Sequence, residues 1–339
     1  MTGRRSCLPP SVSVVIPAYN GENTIREAIE SAYSQTVAPA EVIVVNDGST
    51  DATESILQRL SSTLPPTFRW VTKQNGGPGS ARNVGVRLAG GEFVAFLDQD
   101  DLWAPEKTAR QLEQFASEPQ LALSFTGRTL SAQRTGSGSL LQGDECEPTG
   151  HPRALAGAMA AAAGDAEPFR ATVTPDPDVV LEALMGHSTI GTSSAVMVRR
   201  EAFDRVPPFQ EKSSVDDWMM WLQMASSGMR FGFISEPLVQ YRWHEGNLSG
   251  DRLRQLTDVC AMLDDFSATA ALPRRVRKEI RIRWWRAHWH LIAAIEALLC
   301  GERHQARRHI VRAAWIHPSS IRPGWSRMLG IGLPPPTGG

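Results

Sequence analysis

Four short apolar runs in the first hundred residues each stop at a cluster of polar side chains, and helical stripes separate them. Residues 11–17 are Val-rich on consecutive positions, as a strand buried on both faces requires. Residues 24–35 space Ile25, Ala28, Ile29 and Ala32 as the stripe of an amphipathic helix. The pattern repeats: strand 42–45, helix 51–60, strand 68–71, helix 79–88 and strand 93–97. Alternation of this kind predicts right-handed crossovers and an α/β fold with a mostly parallel sheet flanked by helices. Ligands of such sheets sit beyond the carboxyl ends of the strands. Tyr19-Asn20, Asn46-Asp47-Gly48 and the run Asp98-Gln99-Asp100-Asp101 all fall there, so one rim collects the polar chemistry.

The remainder of the 339 residues is less regular. Residues 127–178 are rich in Gly, Ala, Pro and Ser and are expected to form a flexible insertion with one short helix. Order is expected to return with a strand at 193–198, a helix at 216–226 and extended runs at 231–234 and 238–243. From about residue 252 the chain turns helical. The expected division is a domain over residues 1–250 and a basic helical extension over 251–339. A hydrophobic content of 42% argues against a wholly disordered chain. The net charge of −1 hides an asymmetry: residues 274–312 hold eleven Lys or Arg and three Glu. The rest is therefore acidic, which disfavours a nucleic-acid partner. Cys7, Cys146, Cys260 and Cys300 lie far apart without metal-ligand spacing and suggest reduced thiols. The start lacks the apolar core of a secretory signal, and no run approaches 18 apolar residues. A cytoplasmic protein is the expectation.

Asp98, Asp100 and Asp101 crowd one strand end, where like charges call for a cation. Alternation puts Asp98 and Asp100 on one side; the competing reading is a turn and helix start. Asp47 suits a nucleobase imide or ribose hydroxyl, or simply an Asx turn. The Gly-rich run from Lys73 through Gly76 to Asn83 opens a helix, with Arg82 placed to neutralise phosphate. It lacks the Gly-Lys-Ser/Thr of a Walker loop, and no GxGxxG follows the first strand. Asp216 and Asp217 open a later helix, where acidic residues are favoured by the helix dipole alone. His244, taken singly, reads as an ordinary surface or core histidine.

Together, VSVVIPAYNGENTI, EVIVVNDGSTDAT, KQNGGPGSARNVGV, FVAFLDQDDLW, DDWMMWL and YRWHEGNLS resemble the family-two glycosyltransferases of GT-A fold, over roughly residues 11–250. The resemblance implies inverting transfer of a sugar from a nucleotide diphosphate sugar, with uridine the family-weighted base, assisted by Mg²⁺ or Mn²⁺. It implies that Pro17, Ala18 and Tyr19 line the nucleotide pocket, with Asn20, Glu22, Gly76, Arg82 and Gln99 around it. Asp47 would bind the nucleoside and Asp98 the ribose or sugar. Asp100 and His244 would hold the metal, Asp217 would be the general base and Asp216 its supporting acid. The family's Glu-Asp pair is Asp-Asp here. The QxxRW signature and membrane helices of processive synthases are absent, implying one sugar per encounter, on a glycan or lipid-linked acceptor.

The run HSTIGTSS at 187–194 is expected to border the acceptor pocket. The basic, Trp-rich residues 274–312, with Ile280, Trp284, Trp285 and His288 on one helical face, either pack on the domain or touch an anionic membrane surface. Two other functions use the same scaffold: a nucleotide-sugar hydrolase, and a non-catalytic nucleotide-sugar or glycan binder.

Overall fold

The computed structural model describes residues 10–132, 172–186, 188–244, 251–269 and 280–316. Strands β1 (Val12–Ala18), β2 (Glu41–Asn46), β3 (Phe68–Thr72) and β4 (Phe93–Phe96) alternate with helices α1 (Ile25–Tyr33), α2 (Thr53–Ser61) and α3 (Pro78–Leu88). Next come β5 (Leu102–Trp103), α4 (Lys107–Ser117), β6 (Leu121–Ala132), β7 (Thr172–Val173) and α5 (Pro177–Gly186). A 3₁₀ turn at Ser193–Ala195 leads into β8 (Val196–Arg199), followed by α6 (Asp216–Ser226) and β9 (Arg230–Trp243). Three helices close the described chain: α7 (Arg252–Thr269), α8 (Ile280–Leu299) and α9 (Arg303–Ile316).

Among the described residues the sheet runs β3-β2-β1-β4-β8-β6-β9-β5, with β7 beside β9. The β3-β2-β1-β4 half is parallel, as the alternation predicts. The other half is mixed: β4–β8, β6–β8, β5–β9 and β7–β9 are antiparallel, and only β6–β9 is parallel. The expectation of a mostly parallel sheet therefore holds for the first hundred residues and is corrected beyond them.

Strand alternation divides the core into two layers. Val12, Val14 and Ile16 of β1 pack with Ile25 and Ile29 of α1, Leu57 of α2 and Phe115 of α4. Val15, on the opposite face, packs with Ala81 of α3, Leu181 of α5, Trp221 of α6 and Phe266 of α7. Burial of such side chains stabilises the fold by roughly 1.5–3 kcal/mol each and is the main force holding the layers together. Helix α3 lies close on β1 because residue 85 is Gly; a Cβ there would fall inside the Val15 side chain. This close approach fixes the height at which Arg82, one turn earlier, meets the sheet rim.

The expected flexible insertion at 127–178 is corrected at both ends. Strand β6 continues through Gly127 to Ala132, β7 occupies Thr172–Val173, and α5 begins at Pro177. Residues 133–171 lie outside those described. The two extended runs expected at 231–234 and 238–243 are one long strand, β9, and the expected strand at 193–198 opens as a 3₁₀ turn. Of the basic extension, Trp285 and Trp289 of α8 pack against the core. The side chains of Ile280 and Trp284 lie outside the described residues. No described helix is long and apolar enough to cross a membrane.

Candidate active site

The loops after β1 and β2 are lashed together by their own polar side chains. Asn20, at φ +51°, accepts the Thr50 N–H at 2.8 Å and donates its own N–H to Ser49 Oγ at 3.0 Å. Glu22 accepts the Ala52 N–H at 2.9 Å. Tyr19 N–H donates to Gln99 Oε1 at 2.8 Å, and Gln99 Nε2 returns a bond to the Tyr19 carbonyl at 2.9 Å. These bonds bind the first, second and fourth strand ends into one rim and leave the Tyr19 ring exposed above it. Pro17 and Ala18 are buried within β1, and the Ala18 carbonyl already accepts the Asp47 N–H at 2.7 Å. Both residues pair with β2 alone, since the pairing of β1 with β4 stops at Val15.

Asp47 is buried and its carboxylate is fully engaged. It accepts Lys73 Nζ at 2.7 Å and the N–H groups of Gly76 and Gly77 at 3.0 and 2.7 Å. The turn before α3 depends on this, with Gly77 at φ +84°, a conformation that glycine adopts without strain. A Cβ on Gly76 would crowd Ser80 Oγ.

Arg82 joins carboxylates that are far apart in the sequence. Its Nη1 donates to Asp216 at 2.6 Å; its Nη2 donates to Asp98 at 2.7 Å and to Ser193 Oγ at 2.7 Å. The guanidinium is buried among these acceptors and its ionised form is further stabilised by them. It therefore organises the acidic centre. Burial lifts the Asp216 carboxyl to about 7 against the pull of Arg82. Asp217, the next residue, is half-buried; burial raises its carboxyl and the charge of Asp98 adds to the rise. Its Oδ1 accepts the Trp218 N–H at 2.7 Å, which fixes the side chain at the helix start.

The aspartates after β4 divide their work. Asp101 is fully buried and points into the sheet, accepting Ser194 Oγ at 2.6 Å and the Arg242 N–H at 3.2 Å. Burial, then the charges of Asp98 and Asp100, lift its carboxyl to about 8. Asp100 faces the other way: its Oδ2 lies 3.1 Å from His244 Nε2. Burial, then Asp98, raises the Asp100 carboxyl. Arg242 buttresses this corner by donating to the Asp100 carbonyl and pairing with Glu27 of α1. A carboxylate oxygen and an imidazole nitrogen facing each other, with a second carboxylate near enough to repel the first, form a donor set that suits a divalent cation. The residues fit Mg²⁺ or, with an imidazole present, Mn²⁺.

Sequence reasoning missed several members of this centre. Thr192, Ser193 and Ser194, named only for a border with the acceptor, hydrogen-bond Asp98 and Asp101, while His187 lies outside the described residues. Arg128 donates to the Gly191 carbonyl at 2.5 Å and lies over the Tyr241 ring, 5.0 Å from its centroid. Burial lowers its pKa, and the nearby Asp101 and Asp217 charges oppose that. Arg128 lies in no motif and Arg242 was passed over within YRWHEGNLS; the register of β6 beside β9 brings both to the rim.

This architecture is that of the GT-A glycosyltransferases. Residues 13–139 match the family described as Glycosyl transferase family 2, a span that takes in the parallel half of the sheet and the three rim motifs. The putative teichuronic acid biosynthesis glycosyltransferase TuaG of Bacillus subtilis is 40% identical over 124 residues, 37% of this chain and 49% of TuaG. The match thus spans about half of TuaG, and 33% or less of several Rickettsia relatives described as uncharacterized glycosyltransferases. Among solved structures, S. aureus TarS 1-349 in complex with UDP-GlcNAc superposes with a TM-score of 0.61 at 21% identity, covering 91% of this chain and 82% of that one. Mannosyltransferase PcManGT from Pyrobaculum calidifontis, in complex with GDP-Man and Mn²⁺, gives 0.56 at 20% identity, covering 96% and 85%.

Proposed function

We propose that this chain is an inverting glycosyltransferase that moves one sugar from a nucleotide diphosphate sugar to a hydroxyl of a glycan or lipid-linked acceptor. The observation that carries this reading is Arg82, which ties the strand-end Asp98 to the helix-start Asp216, beside the half-buried Asp217. A binder needs no such base, and a hydrolase would differ only in using water. Asp217 accepts the proton of the acceptor hydroxyl, whose oxygen attacks the anomeric carbon opposite the leaving diphosphate. Asp216 and Arg82 hold the start of α6 in position. Asp98 orients the donor sugar or ribose, and the Tyr19 ring and the Asp47-braced turn border the nucleotide. A divalent cation held by Asp100 and His244 would supply positive charge against the departing diphosphate. Relatives in structure bind UDP-GlcNAc, or GDP-Man with Mn²⁺, and a uridine diphosphate sugar is the first donor to test.

Metal-dependent thermal stabilisation by a panel of nucleotide sugars tests the donor. A true donor at about a hundred times its Kd stabilises the fold by about 2.7 kcal/mol. Asp100→Ala is expected to abolish the metal-dependent part of that shift, because it removes the carboxylate opposite His244. If the shift in Asp100→Ala matched wild type with and without metal, Asp100 would have no part in ion binding.

The reading includes peripheral contact with the inner face of the membrane through the C-terminal helices, which suits a lipid-linked acceptor. On α9, Trp315 is 73% exposed and borders, with Arg307, Arg308, Val311 and Arg312, a shallow cavity of about 510 Å³. An apolar ring among arginines suits an anionic interface. The protein is expected to sediment with anionic vesicles at low salt and to be released at high salt. Equal recovery in the supernatant with and without vesicles would leave these arginines merely solvated.

A further inference from the structure

The C-terminal helices carry a second group of ligating side chains that sugar transfer does not use. Cys260 on α7, His290 on α8 and His309 on α9 each offer one ligand atom, and these atoms lie within 4.8 Å of one another. Cys260 and His290 are buried, at 4% and 5% exposure, and His309 is half-buried. The Nδ1 atoms of His290 and His309 face each other at 3.0 Å. The other nitrogen of His290, Nε2, is buried without a hydrogen-bond partner and lies 3.5 Å from Asp264 Oδ2. Asp264 is itself paired with Arg286 at 2.6 Å and Arg312 at 3.0 Å.

A carboxylate behind a histidine selects the tautomer. With the proton on Nε2, towards Asp264, His290 turns the lone pair of Nδ1 towards His309. That is the outer support that metal-bound histidines ordinarily have. Two imidazole nitrogens and a thiol sulfur converging from three helices form a donor set for a borderline-soft, tetrahedral ion. We propose that Cys260, His290 and His309 bind Zn²⁺ and that the ion joins α7, α8 and α9. On binding, the Cys260 thiol gives its proton to solvent as the sulfur–zinc bond forms, and both imidazoles enter neutral. The fourth position falls to water.

The joined helices bear on the catalytic helix. Asp258 of α7 accepts both the N–H and the Oγ–H of Ser214, at 3.0 and 2.6 Å, just before α6 begins. Trp289, the neighbour of His290, packs edge-on against Trp218, with ring centroids 5.7 Å apart. An ion holding these helices together therefore braces the segment that presents Asp216 and Asp217. The site itself is independent of the glycosyl-transfer reading.

The test uses the full chain, loaded with Zn²⁺, desalted and assayed for bound metal, and in parallel loaded with Co²⁺ for spectroscopy. Wild type is expected to retain about one Zn²⁺ per chain. The Co²⁺ form should give the visible bands of a tetrahedral ion and a near-ultraviolet thiolate-to-cobalt band. Cys260→Ser should remove the thiolate band, and His309→Ala should lower retained zinc at least about tenfold. Asp264→Asn should weaken affinity about 10- to 100-fold, as loss of an outer carboxylate does. Asp100→Ala should keep this zinc, which separates it from any ion at the strand-end centre. Wild-type Co²⁺ spectra without a thiolate band would overturn the proposal even if every variant misfolded. So would undiminished zinc in folded Cys260→Ser and His309→Ala, leaving the pair as a histidine–histidine hydrogen bond.

Discussion

Asp217→Asn is expected to cut turnover by about 10²–10⁴ while leaving nucleotide-sugar affinity close to wild type. The amide keeps the size of the side chain and can still meet the Trp218 N–H through its carbonyl oxygen, so the start of α6 is preserved. What is lost is the lone pair that takes the acceptor proton. The pH profile sharpens the expectation. A base works only when deprotonated, so activity falls as pH drops through its pKa. Burial raises the Asp217 carboxyl, so the acid limb lies at higher pH than for a free carboxylate. Asp216 stands beside it with its own raised pKa, and the limb therefore reports the two acids together. Single-turnover rates with a saturating donor, measured across pH for wild type and variant, decide the matter. An Asp217→Asn enzyme with wild-type turnover would remove Asp217 from proton transfer and direct the search for a base elsewhere in the centre.

The parallel half of the sheet was legible because its strands are continuous apolar runs and its helices carry clean stripes. The three rim motifs followed, since topology dictates where such strands end. Helix α4 was not legible: its buried face includes Lys107, Thr108, Gln111 and Gln114, so a polar sequence conceals a core helix. Lys107 is fully buried, hydrogen-bonded to Gln111, with its ammonium 4.1 Å from the centroid of the Trp103 ring. Burial drives its pKa well down. The residue pattern breaks at Gly127, in the middle of strand β6. That glycine marks a register shift where β9 passes close, since a Cβ would strike the Ser235 carbonyl. At the site, residue types were readable and pairings were not. Nothing near Arg82 in the chain announces Asp216 or Ser193 as its partners. Likewise Cys260, isolated in the sequence, meets two histidines only because three helices pack together.

Arg82→Met is expected to destabilise the fold by about 3–5 kcal/mol, the usual cost of removing one partner from a buried ion pair. Methionine replaces much of the stem volume and none of the charge. Asp216, 3% exposed, would then be buried without its cation, and Ser193 would lose the donor to its hydroxyl oxygen. Asp98 is less affected because its side chain remains 26% exposed and water can take over part of the work. Adding Asp216→Asn to Arg82→Met should recover part of the loss, since the second substitution removes the stranded carboxylate; the interaction between the two is the quantity to measure. Urea unfolding of the two single variants and the double variant supplies it. The phosphate role suggested by the Gly-rich loop predicts something else: a normally stable Arg82→Met protein with weakened donor binding and additive effects. A loss below about 1 kcal/mol would favour that role, because a buried guanidinium bridging two carboxylates cannot be removed at the cost of a surface charge.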